Sequence, residues 1–132
     1  MENIAEQYFV QTFIKKNRRD RLFFELSAEK RRYDGLSRFC HQAGELLDPA
    51  KIIAAGDDLE RRPEFLRFVK HHDDTCYVIS PDYEMDGRTL QTKDAVSLAA
   101  AFYDAVIIIG STFAIIFGEP MKGGRDKYLL SE

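Results

Sequence analysis

Only two cysteines occur in the 132 residues, Cys40 and Cys76, far apart and in no CxxC or Cys/His metal spacing. That usage argues against a disulfide framework and fits reduced thiols in a cytosolic protein. Long hydrophobic runs are also missing. The most apolar stretch, residues 105–117, is broken by Gly110-Ser111-Thr112 and falls short of the ~20 residues that a membrane span needs. The first residues, MENIAEQ, are acidic and polar rather than basic and then apolar, unlike a secretory leader. The expectation is a cytoplasmic protein with no membrane attachment. No internal repeat, low-complexity tract or catalytic or cofactor motif is visible, so no cofactor and no metal are expected.

What the chain does have is apolar mass and segregated charge. Apolar residues make up 45%, including ten Phe and six Tyr, enough for a real core in a single α+β domain spanning residues 1–132. The formal net charge is −3, yet residues 15–38 hold nine Lys/Arg against four acids. Such segregation bears on what the surface touches.

Periodicity divides the chain. Ile4, Tyr8 and Phe13, with Phe9 and Val10, form one helical stripe. The stripe lapses over residues 15–21, where Asn17 is a candidate cap, and Leu22, Phe23, Phe24 and Leu26 then return to the core, as a second helix or as a continuation of the first. Ser27 is the N-cap candidate for a third helix, whose apolar stripe runs through Tyr33, Leu36, Phe39, Cys40, Ala43 and Leu47. Gly35 weakens its middle or splits it, and Asp48-Pro49 ends it. Residues 51–55 read as an edge strand or a helical turn. Asp57 or Asp58 caps a helix to about His71, with Leu59, Phe65, Leu66, Phe68 and Val69 inward and Pro63 acceptable only in its first turn. Residues 75–80 read as a strand and residues 85–88 as a turn. Thr92 caps a helix carrying Ala95, Leu98, Ala99 and Phe102. Residues 105–109 and 113–117 form a hairpin, and residues 126–131 a last strand.

The fold class is therefore α+β: a helical N-terminal half packed on a mostly antiparallel sheet of four or five strands with a C-terminal meander. Residues 75–109 read as a right-handed crossover that makes one pair parallel. The hairpin strands are apolar on both faces, so both faces must be covered. One layer of helices covers one face; the other must meet more helices or another copy of the protein, and a homodimer is the expectation.

The candidate sites are weighed against ordinary structural roles. In residues 15–38, Arg and Lys at helical spacing from Asp20, Glu25, Glu29 and Asp34 fit a solvated helix face. Only residues 15–21, with Lys15, Lys16, Arg18, Arg19 and Arg21, lack an apolar stripe, and they are the candidate partner-binding set. A nucleic-acid reader adds exposed aromatics, whereas Phe23 and Phe24 read as core. The loop with Glu119, Lys122, Gly123, Gly124 and Arg125 is the candidate ligand site: two glycines free the backbone, and two cations hold an anion. It is no Walker loop, because no Lys-Ser/Thr and no helix follow. Cys40-His41 fails as a nucleophile and base, since adjacent helical residues point about 100° apart. His71, His72, Asp73 and Asp74 carry metal-ligating groups without the i, i+4 spacing of a helical zinc pair. Asp82, Glu84 and Asp86 alternate beside Gly87 but lack the twelfth-position Glu of a calcium loop.

With no convergent catalytic set, the leading reading is a small non-enzymatic binding module that recognises a protein partner, such as an immunity-type or regulatory inhibitor. A second reading is an enzyme acting on a small anionic substrate through residues 119–125, with Glu119 or Asp86 moving protons near His41 or His71. A third is nucleic-acid binding through Arg18, Arg19, Arg21, Arg31 and Arg32.

Overall fold

The computed structural model describes residues 3–72 and 74–132. Helix α1 (Ile4–Phe13) starts at Asn3, whose Oδ1 accepts the Glu6 N–H at 3.0 Å. Helices α2 (Arg19–Ser27), α3 (Glu29–His41) and the single turn α4 (Ala43–Leu46) follow. Strand β1 (Ile52–Ala55) and helix α5 (Pro63–His71) lead into β2 (Thr75–Ile79) and β3 (Arg88–Gln91). Helix α6 (Thr92–Ala101) precedes the meander of β4 (Val106–Ile109), β5 (Phe113–Phe117) and β6 (Lys127–Ser131).

The six strands form one sheet in the order β1-β6-β5-β4-β2-β3, and every pairing is antiparallel. The α+β class stands, with more strands than expected. Residues 52–55 resolve as an edge strand paired with β6. The additional strand is β3, whose exposed Arg88, Thr89 and Gln91 hide any strand signature. Because β3 reverses the chain after β2, β4 returns antiparallel to β2 and the expected parallel crossover is absent.

Both sheet faces are covered by the chain itself. Ile107, Ile109, Ala114 and Ile116 pack with α1, α2 and α3. Val106, Ile108, Phe113 and Ile115 pack with α5 and α6. The doubly apolar strands that prompted a homodimer are thus buried, among the described residues, by a helical layer on each face. Alternating strand residues point to opposite faces, so these four-to-five-residue runs feed two cores.

Several helix ends differ from the sequence expectation. Ser27 closes α2, and Ala28 occupies the N-cap of α3 with no side-chain bond. Asn17 lies in the 3-10 turn Lys16–Arg18 before α2. Thr92 sits inside α6, where its Oγ1 donates to the Asp74 carbonyl at 2.7 Å instead of capping. Helix α5 begins at Pro63 itself, so neither Asp57 nor Asp58 is its N-cap. Tyr33, Leu66 and Leu98, placed on core faces by periodicity, are exposed.

An ion cluster ties the N-terminal helices to the β2–β3 connection. Arg32 of α3 forks onto Glu6 of α1 (2.6 and 2.8 Å) and onto Asp86 (2.8 and 3.0 Å). Burial opposes the charge on Arg32, but the bonds to Asp86 and Glu6 outweigh it and raise the pKa. Asp86 also accepts the Ser80 N–H at 3.1 Å. The acidic run is therefore not a solvated turn at this position.

Candidate functional site

The basic junction is held in place by backbone. Ile14 leaves α1 in an extended conformation and bridges to Leu47. The Lys15 N–H donates to the Leu46 carbonyl at 2.9 Å, and Arg18 N–H donates to the Lys15 carbonyl at 2.9 Å. Arg19 then turns back and donates from Nε to the Ile14 carbonyl at 2.9 Å. The stripe lapses here because the chain is reversing from α1 into α2.

The structure sorts the cations of residues 15–38 into three sets. Arg32 is spent on Glu6 and Asp86, and Arg38 on Glu25 of α2. Lys15 and Arg19 are half-buried at the junction. Lys16, Arg18, Arg21, Lys30 and Arg31 remain exposed. Arg21 stays 69% exposed and approaches Glu25 no closer than 3.8 Å, a pairing worth little in water.

Between α1 and α2 lies a groove of about 500 Å³. Val10 and Gln11 form one wall, Phe23, Phe24 and Ser27 the other, and Arg19 and Asp20 stand at the junction end. Phe24 is 59% exposed, and the Arg31 guanidinium sits 5.8 Å from its ring centroid. Ile4, 83% exposed, lies on the same face of α1 as Gln11, two turns away. Phe24 thus corrects the expectation that both phenylalanines are core; Phe23 is half-buried. Adjacent helical residues diverge by about 100°, so with Leu22 and Leu26 turned inward the Phe23-Phe24 pair cannot both follow them.

The loop at residues 119–125 is not assembled as an anion site. Arg125 is buried, and its guanidinium donates to the carbonyls of Ala99 (2.8 Å), Asp104 (2.9 Å) and Gly118 (2.5 Å). It closes the C-terminal end of α6, and burial lowers its pKa. Lys122 and Gly123 face solvent, and Gly124 takes a φ of 126° that suits glycine. Glu119 does reach His41, with Nδ1 to Oε2 at 3.8 Å, but both side chains are more than half exposed. Asp86 lies instead in the Arg32 cluster.

The remaining candidates resolve into structural roles. Burial pushes the Cys40 thiol up to about 12 and the Cys76 thiol to about 11, the opposite of an activated nucleophile. His72 stacks on Phe68 at 4.0 Å and meets Phe113 edge-on. Asp73 lies outside the described residues, and among those described no cluster of three metal-ligating side chains occurs. Among the described residues no helix is long and apolar enough to cross a membrane. No protein-family model, curated protein or solved structure matches the chain.

Proposed function

We propose that the protein is a non-enzymatic binding module that recognises an acidic, apolar-anchored segment of a protein partner in the α1–α2 groove, in the manner of an immunity-type or regulatory inhibitor. The supporting observation is the groove itself: an apolar slot walled by Val10, Phe23 and Phe24, with Arg19 beside Asp20 at one end and Arg31 over the Phe24 ring. A concave apolar slot takes a side chain, and the Arg31 guanidinium beside it favours a segment carrying a carboxylate. Exposed aromatic and arginine side chains are the groups that dominate binding energy at protein interfaces. The enzyme reading loses support, because Glu119, Lys122 and Arg125 do not converge.

Exposed Phe24 beside Arg31 also favours nucleic acid, since bases stack on aromatic side chains flanked by arginine. Selection from a displayed peptide library separates the two readings. Acidic peptides with apolar anchors should be enriched, and Phe24→Ala should lose them. Enrichment of no such peptide, together with a gel shift on single-stranded oligonucleotide that weakens steeply with salt and vanishes in Phe24→Ala, would replace the protein partner by nucleic acid.

A further inference from the structure

On the opposite flank of α2 from the groove, a second and smaller cleft of about 100 Å³ opens between α2, α3 and α4. Arg18, Arg21 and Arg38 line it, with the amides of Asn17 and Gln42 and the carboxylate of Glu25. Leu22 and Phe39 give it an apolar floor. The side chains of Asn17, Arg18 and Gln42 have no hydrogen-bond or ion-pair partner among the described residues. Glu25 bonds to Arg38 and stands 3.8 Å from Arg21. Three guanidinium groups and one carboxylate therefore line the cleft, an excess of two positive charges, and the exposed side chains of Asn17, Arg18, Arg21 and Gln42 bring N–H donors to its rim.

We propose that this cleft binds a single oxyanion of the phosphate class, either inorganic phosphate or the phosphate group of a small monoester. Arg18 and Arg21 supply the charge, and Asn17 and Gln42 supply neutral donors. Size permits it. A cavity of roughly 150 Å³ accepts benzene, so a cleft of this volume has room for a phosphate group. Charge sets the class: a phosphate monoester carries about −1.5 to −2 at neutral pH, which matches the excess, whereas a carboxylate carries half of it. Donor number agrees, because a phosphate offers three or four acceptor oxygens to forked guanidinium and amide donors, and a carboxylate only two.

The site is built by α2 and α3 approaching closely at Gly35, which also lines the cleft. Arg38 reaches Glu25 across that approach and is fixed there, so the one acid in the cleft is engaged by the protein's own cation. Phe24 and the α1–α2 groove take no part, so the cleft stands or falls apart from the proposed protein docking.

The test is a titration of the full chain followed by two-dimensional amide NMR, with inorganic phosphate, O-phosphoserine and acetate as separate probes at constant ionic strength. Saturable shifts of the Asn17 and Gln42 side-chain amides are expected with both phosphates. Tighter binding of inorganic phosphate identifies the free ion, and tighter binding of O-phosphoserine identifies a monoester. Arg18→Gln, at an exposed position, should weaken binding about tenfold or more, the loss of one charge-assisted contact. Lys93→Gln, on α6 beyond the sheet, should leave binding unchanged. Shifts that do not saturate, that survive Arg18→Gln, or that acetate reproduces at the same concentration would overturn the proposal.

Discussion

A methyl group on Gly35 would lie 2.8 Å from the Glu25 Cβ. Helices α2 and α3 thus approach so closely that the middle of α3 admits no side chain at this point. The sequence expectation was that Gly35 weakens or splits the helix, yet α3 runs unbroken from Glu29 to His41. The glycine is an inter-helix contact, not a break. Gly35→Ala should therefore destabilise by about 1–3 kcal/mol from overpacking, although alanine is the better helix former by ~1 kcal/mol. Urea denaturation reads the sign. Increased stability would mean that α2 and α3 separate easily at this point.

Removing Arg32 should be among the most costly changes at any charged residue. The Arg32→Met variant leaves Glu6 and Asp86 facing each other across a half-buried site without their shared cation. Stranding a buried charge costs roughly 3–5 kcal/mol, whereas replacing a whole buried ion cluster with apolar groups of similar volume is often close to neutral. The triple variant Arg32→Met, Glu6→Leu, Asp86→Leu should therefore be more stable than Arg32→Met alone, less the loss of the Asp86 bond to the Ser80 N–H. Equal stability of the single and triple variants would show that the carboxylates are solvated.

Much of this fold is visible in residue patterns, and its exceptions have physical causes. The doubly apolar strands 106–109 and 113–117 correctly demand cover on both faces. Helices α1, α2 and α3 cover one face and α5 and α6 the other, and pattern alone cannot distinguish a second helical layer from a second copy of the chain. Strand β3 carries Arg88, Thr89 and Gln91 outward at a sheet edge, where neither alternation nor apolar burial marks it. Charge segregation pointed to residues 15–38 but could not separate Arg32 and Arg38, which meet Glu6, Asp86 and Glu25, from Arg18 and Arg31, which meet no acid among the described residues. The Phe24 exposure was within reach of the same 100° divergence that separates Cys40 from His41. The two-pocket arrangement flanking α2 was not, because it depends on how closely α1 and α3 approach that helix.

Alkaline pH should destabilise the fold through its buried thiols. Burial raises Cys40 from 9.0 to about 12 and Cys76 from 9.0 to about 11. Above the unfolded value the unfolded chain releases these protons while the folded chain keeps them. The unfolded state then binds fewer protons, and stability falls as pH rises. The stabilising contribution is intact below pH 9.0 and is lost progressively up to the folded values. Each thiol should contribute a slope of about 1.4 kcal/mol per pH unit within its window. Denaturation under reducing conditions at several pH values above 9.0 should give a shallower decline for Cys40→Ala than for the wild type by about that amount. Parallel declines would mean that the Cys40 thiol is not buried in solution.

Phe24 and Leu22 stand two residues apart on α2 and should respond oppositely to truncation. Leu22 is 5% exposed and packs in the core beneath the N-terminal helices. Leu22→Ala should cost about 2–5 kcal/mol, the transfer loss of its methyl groups together with the cavity they leave. Phe24 is 59% exposed, and its ring meets the Arg31 guanidinium rather than the core. Phe24→Ala should change stability by about 0.5 kcal/mol or less, as surface substitutions do, with at most an additional ~0.5–1 kcal/mol from the lost cation–π contact. Thermal and urea denaturation of the two variants fix the rotation of α2 about its axis. A large loss for Phe24→Ala would place that ring in the core and close the α1–α2 groove, while a small one leaves the ring on the surface and the groove open.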